Sequence, residues 1–183
     1  MKLHTFNRLL VTLVLGLVGG AASAKLAVGA AAPDFSTTAA LAGSTFNYTL
    51  SDALKKGPVV LYFYPKAFTT GCTIEAKLFA EATDQFAALN ATVIGVSADD
   101  IDTLKTFSTG PCGSKFAVAS DLDHSIIKAY DAALRIKPDM ADRVSYVITP
   151  DAHVLYVYDS LNPDQHDTNT LAAIKSWQVT QKK

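Results

Sequence analysis

The chain has 183 residues, 49% of them hydrophobic and 18% charged, with a formal net charge of −1. That length accommodates one domain with a substantial core, and the apolar content excludes a disordered chain. With no basic run and no interleaving of aromatic and basic residues, the sequence argues against a nucleic-acid partner.

Residues 1–24 read as a signal peptide. Lys2 and Arg8 supply a positive start, Leu9–Val18 an apolar stretch, and Ala22-Ser23-Ala24 a small-residue cleavage site before Lys25. An uncleaved membrane anchor is the alternative. The stretch is short of the roughly 20 residues a spanning helix needs, and Gly16, Gly19 and Gly20 weaken it further. Residues 25–183 are therefore expected to form a single exported domain, periplasmic in a bacterial cell. No cysteine stands at the cleavage point, which argues against a lipid anchor.

Residues 25–53 form a lead-in of small residues, with Ala32-Pro33-Asp34-Phe35 extended, a weakly alternating strand at Phe46–Leu50, and Ser51 capping a short turn to Lys56. Gly57-Pro58 breaks the chain before Val59–Tyr64, an apolar run whose continuity suits a strand covered on both faces. From Cys72 to about Leu89, residues Ile74, Leu78, Phe79, Ala82, Phe86 and Leu89 recur at helical spacing and predict an inward face. Thr92–Ser97 is a second buried strand, and Asp99 or Asp100 caps a helix to about Phe107 with Leu104 and Phe107 inward. Phe116–Ser120 reads as a third strand, and Asp123 as the cap of a short helix to Tyr130. Arg143–Thr149 and Val154–Tyr158, joined by the turn Pro150–His153, form a hairpin, and Asp167 or Thr168 caps a last helix to about Val179. The order β-α-β-α-β-α-β-β-α predicts an α/β sandwich whose central sheet is mixed and flanked by helices.

The stretch Pro65-Lys66-Ala67-Phe68-Thr69-Thr70-Gly71-Cys72 places a cysteine where a strand and a Pro/Gly turn feed a helix. A thiol attacks as thiolate, and the N–H groups of a helix N-terminus stabilise that anion. The bland alternative is a small buried cysteine. Cys112 is the other thiol of the chain, and neither cysteine belongs to a Cys-x-x-Cys pair. A structural Cys72–Cys112 disulfide is a further alternative for an exported chain, and closing a loop of about 40 residues would stabilise it by roughly 4 kcal/mol. His124, His153 and His166 lack metal-ligand spacing and read as surface or turn residues, so no metal is expected. Without a Gly-rich phosphate loop, no cofactor is expected either.

Pro65-x-x-x-Thr69-x-x-Cys72 resembles the peroxidatic motif of the peroxiredoxins. Tyr62-Phe63-Tyr64-Pro65-Lys66, Gly95-Val96-Ser97-Ala98-Asp99 and Ser120-Asp121-x-Asp123 resemble the branch called PrxQ or bacterioferritin comigratory protein. Arg143-x-Ser145-Tyr146-Val147-Ile148, followed by Pro150-Asp151, is similar to the family's arginine strand. The resemblance covers about Ala30 to Tyr158 and implies a thioredoxin-like fold and a thiol-dependent peroxidase acting on hydrogen peroxide and organic hydroperoxides. Cys72 would be the nucleophile and Arg143 the cation beside it. Thr69 would offer a hydroxyl to thiolate or peroxide, Pro65 would shield the thiolate from water, and Glu75 would hold the arginine.

The commonest partner cysteine of that branch lies five residues after the peroxidatic one, where this chain has Lys77. The resemblance leaves Cys112 as the resolving thiol, in a loop made mobile by Gly110, Pro111 and Gly113. Cys112 as a bystander in a one-cysteine enzyme is the variant of this reading. The implied partners are a peroxide and a thioredoxin-like or other thiol reductant, with the chain as monomer or weak dimer. Two other classes stay open: a thiol–disulfide oxidoreductase, disfavoured without a Cys-x-x-Cys site, and a non-catalytic domain held by a structural disulfide.

Overall fold

The computed structural model describes residues 25–181. An N-terminal hairpin, β1 (Ser36–Leu41) and β2 (Ser44–Thr49), leads into a short α1 (Leu50–Leu54). Then follow β3 (Val59–Phe63), α2 (Thr70–Ala88), β4 (Thr92–Ser97), α3 (Ile101–Thr109), β5 (Ala117–Ser120) and α4 (Ser125–Ala129). A small hairpin of β6 (Ala133–Leu134) and β7 (Lys137–Ala141) precedes β8 (Val144–Ile148), β9 (Val154–Asp159) and α5 (His166–Gln181). The seven-stranded sheet runs β2-β1-β5-β4-β3-β8-β9, with β3–β4 and β4–β5 parallel and the remaining pairs antiparallel.

Every residue of β3 is buried, as its continuous apolar run requires of a central strand. Its side chains alternate between two cores. Val59, Leu61 and Phe63 pack with Leu50 and Leu54 of α1 and Ile126 and Ile127 of α4. Val60 and Tyr62, with Tyr64 just beyond, pack with Phe79 and Phe86 of α2, Leu104 and Phe107 of α3, and Leu171 and Ile174 of α5. The mixed α/β sandwich is the expected thioredoxin-like architecture. Gly95 on β4 is where Tyr62 crosses its neighbour strand: a Cβ built there falls 2.7 Å from the ring.

Several local expectations are corrected. The lead-in hides β1, whose Ser-Thr-Thr-Ala-Ala-Leu sequence offers little apolar contrast but pairs with both β2 and β5. The Asp34 carboxylate, rather than Ser51, caps α1 by accepting from Ser51 N at 2.9 Å. On α2, Ile74 faces solvent while Cys72, Glu75 and Ala76 face inward, because the buried stripe begins from the cysteine's side of the helix. Asp100, one of two expected caps, accepts from Thr103 N at 2.8 Å. Asp123 accepts from Ser125 N at 3.0 Å, whereas the buried Asp121 carboxylate accepts from Ile126 N and Ile127 N deeper in the helix. The β6–β7 hairpin had no sequence expectation, since Lys137-Pro138-Asp139-Met140 carries no strand pattern.

Candidate active site

The turn between β3 and α2 delivers Cys72 to the third residue of the helix, with Thr69 as N-cap in an extended conformation. Backbone N–H groups of the first helical turn have no intrahelical acceptor, so the helix start is a polarised surround for a sulfur anion. Cys72 is only 1% exposed. The loop carrying it is braced from β4: the Asp99 carboxylate accepts from Ala67 N at 2.7 Å and from Ser97 Oγ at 2.9 Å. The Ser120 hydroxyl in turn donates to Asp99 O at 2.7 Å.

Arg143 stands just before β8. Antiparallel pairing of β8 with β3 sets Val144 opposite Phe63, which carries Arg143 to the end of the sheet where β3 runs into the Tyr64-Pro65 turn. Its guanidinium is almost fully buried and divides its donors. Nη2 donates to Cys72 Sγ at 3.4 Å, Nε to Leu161 O at 3.0 Å, and Nη1 to Glu75 Oε2. Gly71 makes room for this approach, since a Cβ built there falls 3.0 Å from Nη2. The expected meeting of Cys72, Arg143 and Glu75 is therefore present in the structure.

Glu75 is wholly buried, and burial pushes its carboxyl up to about 8 against the opposing pull of Arg143. Its second oxygen, Oε1, has no hydrogen-bond partner among the described residues and faces His166 Nδ1 at 3.5 Å. His166 corrects an expectation: it is no surface residue but fully buried at the start of α5. Its Nδ1 pairs with Ser145 Oγ at 2.8 Å and its Nε2 with Ser160 O at 2.9 Å. Burial pushes its imidazole down to about 4. A lone histidine in a polar segment carries no periodic signal that could have revealed this.

The remaining sequence candidates stand further back. Thr69 is exposed, and its hydroxyl donates to Lys66 O at 2.9 Å, closing the turn rather than reaching the sulfur. Pro65 is half-buried at the head of the same loop. Phe68, at φ 62° and half exposed, leans edge-on against Phe107 with ring centroids 5.2 Å apart. Cys112 does not lie in an open loop: it is fully buried in the turn after α3, with its N–H donating to Phe107 O at 3.2 Å. Lys115 N to Cys112 O and Ser114 N to Ser108 O close the turn around it. Burial pushes its thiol well up. Both cysteines are free thiols in the same core layer, and Tyr62 and Tyr64 lie within electrostatic reach of both. Among the described residues no group of three or more His, Cys, Asp or Glu could hold a metal ion.

A thiol at a helix N-terminus with a buried guanidinium on its sulfur is chemistry for attack on an electrophile that releases an anion. The sequence matches the AhpC/TSA family over residues 28–157. The chain belongs to this family. It is 30% identical over 153 residues to the chloroplastic peroxiredoxin Q of Oryza sativa subsp. japonica, covering 83% of this chain and 68% of that protein. Among solved structures it resembles the peroxidoxin BcpB of Mycobacterium tuberculosis, with a TM-score of 0.74, 28% identity, and coverage of 81% of this chain and 96% of that one. It also resembles a PrxQ cysteine-to-serine mutant of Xylella fastidiosa, with a TM-score of 0.75, 26% identity, and coverage of 85% and 99%. Within the AhpC/TSA family the chain is thus a peroxiredoxin of the PrxQ and bcp type. In this peroxiredoxin the matched segment contains Cys72, Glu75, Cys112 and Arg143, while His166 lies beyond its end.

Proposed function

We propose that this chain is a thiol-dependent peroxidase that reduces hydrogen peroxide and organic hydroperoxides, with Cys72 as the attacking sulfur. The observation that carries the assignment is Arg143 Nη2 at 3.4 Å from Cys72 Sγ at the start of α2. The Cys72 thiolate attacks the terminal oxygen of R–O–O–H; the S–O bond forms as the O–O bond breaks. The hydroxyl stays on sulfur as a sulfenic acid, and the alkoxide or hydroxide leaves and takes a proton from solvent. The guanidinium offsets the charge moving from sulfur to the departing oxygen, and its charge is constant across the working pH range.

Cys112 is our candidate resolving thiol. Its sulfur would attack the Cys72 sulfenic acid, forming an S–S bond as hydroxide departs and is protonated to water; an external dithiol then reduces the disulfide. Two observations support this. Both thiols are free, and Cys112 shares one core layer with Cys72. A buried thiol pushed up in pKa is a poor nucleophile. Resolution therefore requires the turn 110–114 to open locally, a motion drawn from the low-stability end of the fold. The reductant would be thioredoxin-like or another thiol, and the chain a monomer or weak dimer. The expected leader, residues 1–24, lies outside the described residues; export to a periplasm rests on its sequence pattern alone.

Intact mass and free-thiol count of reduced protein after one equivalent of hydrogen peroxide test this. Wild type should lose both thiols and the mass of two hydrogens, Cys112→Ser should accumulate a sulfenic acid, and Cys72→Ser should stay inert. Normal turnover of Cys112→Ser would make Cys112 a bystander. Two thiols indifferent to peroxide would overturn the assignment.

A further inference from the structure

Charge bookkeeping in the buried cluster leaves one proton unassigned. The Ser160 carbonyl can only accept, so the His166 Nε2 that meets it at 2.9 Å must be the protonated nitrogen. In the neutral ring Nδ1 is then a bare lone pair, which receives the Ser145 hydroxyl at 2.8 Å. Yet the same Nδ1 faces Glu75 Oε1 at 3.5 Å, and that oxygen is buried without any donor among the described residues. Two acceptors held face to face in a dry interior repel each other, and Oε1 is left unsatisfied. A proton between them removes the conflict.

We propose that Glu75 and His166 hold one proton in common, and that His166 is a positioning residue which through this proton sets the charge Arg143 offers to Cys72. With the proton in place the Glu75–His166 pair is neutral, and Arg143 and the Cys72 thiolate are left facing each other as cation and anion. Without it, a second anion faces the guanidinium from Glu75 Oε2 and competes with the sulfur for the same cation. Burial pushing Glu75 up and His166 down agrees with the proton residing on the carboxyl side at neutral pH.

Charged and titratable groups face the pair from several elements. These are Cys72 on α2, Arg143 before β8, Asp167 beside His166 on α5, and Tyr62 on β3. The Tyr158 ring of β9 packs edge-on against His166 at 4.7 Å. Arg143 is the cation of this set, so the shared proton decides how much of its charge remains for the sulfur. The proposal rests on Cys72 being the reactive thiol but not on the electrophile being a peroxide.

The test follows alkylation of Cys72 by iodoacetamide across pH 5 to 10, read by peptide mass so that Cys112 is counted separately. Wild type should show two steps, one for the sulfur and one for the pair, since coupled sites titrate in separate macroscopic steps. Glu75→Gln presents an amide oxygen to Arg143 and an N–H to His166 Nδ1, mimicking the protonated pair, and should collapse the profile to one step. His166→Gln keeps a donor for Ser160 O but removes Nδ1, and should slow alkylation at pH 6 about tenfold. His166→Asn, which restores a polar group near Nδ1, should recover most of that loss, whereas a residue that merely held Ser160 would be rescued by Gln instead. Melting curves for each variant separate misfolding from retuning. Two steps persisting in Glu75→Gln, or Gln rescuing at least as well as Asn at position 166, would overturn the proposal. Peroxide consumption by wild type, run alongside, reports on the peroxidase assignment separately, because alkylation needs no peroxide.

Discussion

Replacing Arg143 by lysine keeps the charge and removes the geometry. The guanidinium serves three partners at once, Cys72 Sγ at 3.4 Å, Leu161 O at 3.0 Å and the Glu75 carboxyl. A single ammonium on a flexible stem can occupy one of those positions, which leaves the Leu161 carbonyl or the buried carboxyl without its donor. Loss of a donor aimed at developing anionic charge costs about 10²–10³ in rate, or about 3–4 kcal/mol of transition-state stabilisation. Breaking a buried ion pair outright costs about 3–5 kcal/mol, and a retained charge should save about half of it. A stability loss of about 2 kcal/mol lowers the melting temperature by about 4–8 °C in a domain of this size. The assay is the second-order rate of Cys72 oxidation by hydrogen peroxide under alkylating quench, with melting curves beside it. A rate within threefold of wild type, accompanied by the fall in melting temperature, would refute the reasoning and reduce Arg143 to a structural cation.

Gly95→Ala should cost about 1–3 kcal/mol, because the new methyl must displace the Tyr62 ring, 2.7 Å away and enclosed between Tyr64, Phe79 and Phe116; an unchanged urea midpoint would show that the layer can yield there. The two buried titrating groups also give stability a pH signature. Glu75 is raised from 4.5 to about 8 on folding, so the stability it contributes is full below 4.5 and is lost as pH climbs towards 8. His166 is lowered from 6.5 to about 4, so its contribution is full above 6.5 and is lost as pH falls towards 4. The two slopes oppose each other between 4.5 and 6.5, and Glu75 acts alone from 6.5 to 8. Melting temperature should therefore fall between pH 6.5 and 8 in wild type and lose that slope in Glu75→Gln; an equal slope in both would assign it to other groups.

The chemistry-bearing turn was legible because its information is local. A buried strand shows as an unbroken apolar run, Pro65 and Gly71 punctuate the chain, and helical spacing from Cys72 onward places the thiol at an N-terminus. These are statements about backbone preference and periodicity over a few residues, which the amino-acid sequence by itself determines. Its motif order also pointed to Arg143 and Glu75, but their contact spans 68 positions and exists because β8 pairs with β3 in one register. The burial of Cys112 and of His166, the Asp99 brace and the pairing of β1 with β5 were decided by tertiary structure alone. Ser36–Leu41 has too little apolar contrast to announce a strand, and its partner β5 lies far along the chain. His166 sits in a polar stretch where no period marks an inward face, and only packing of α5 over β8 and against α2 turns it towards Glu75. Periodicity tells a residue which way its own element faces; what it meets there depends on a second element that local sequence does not encode.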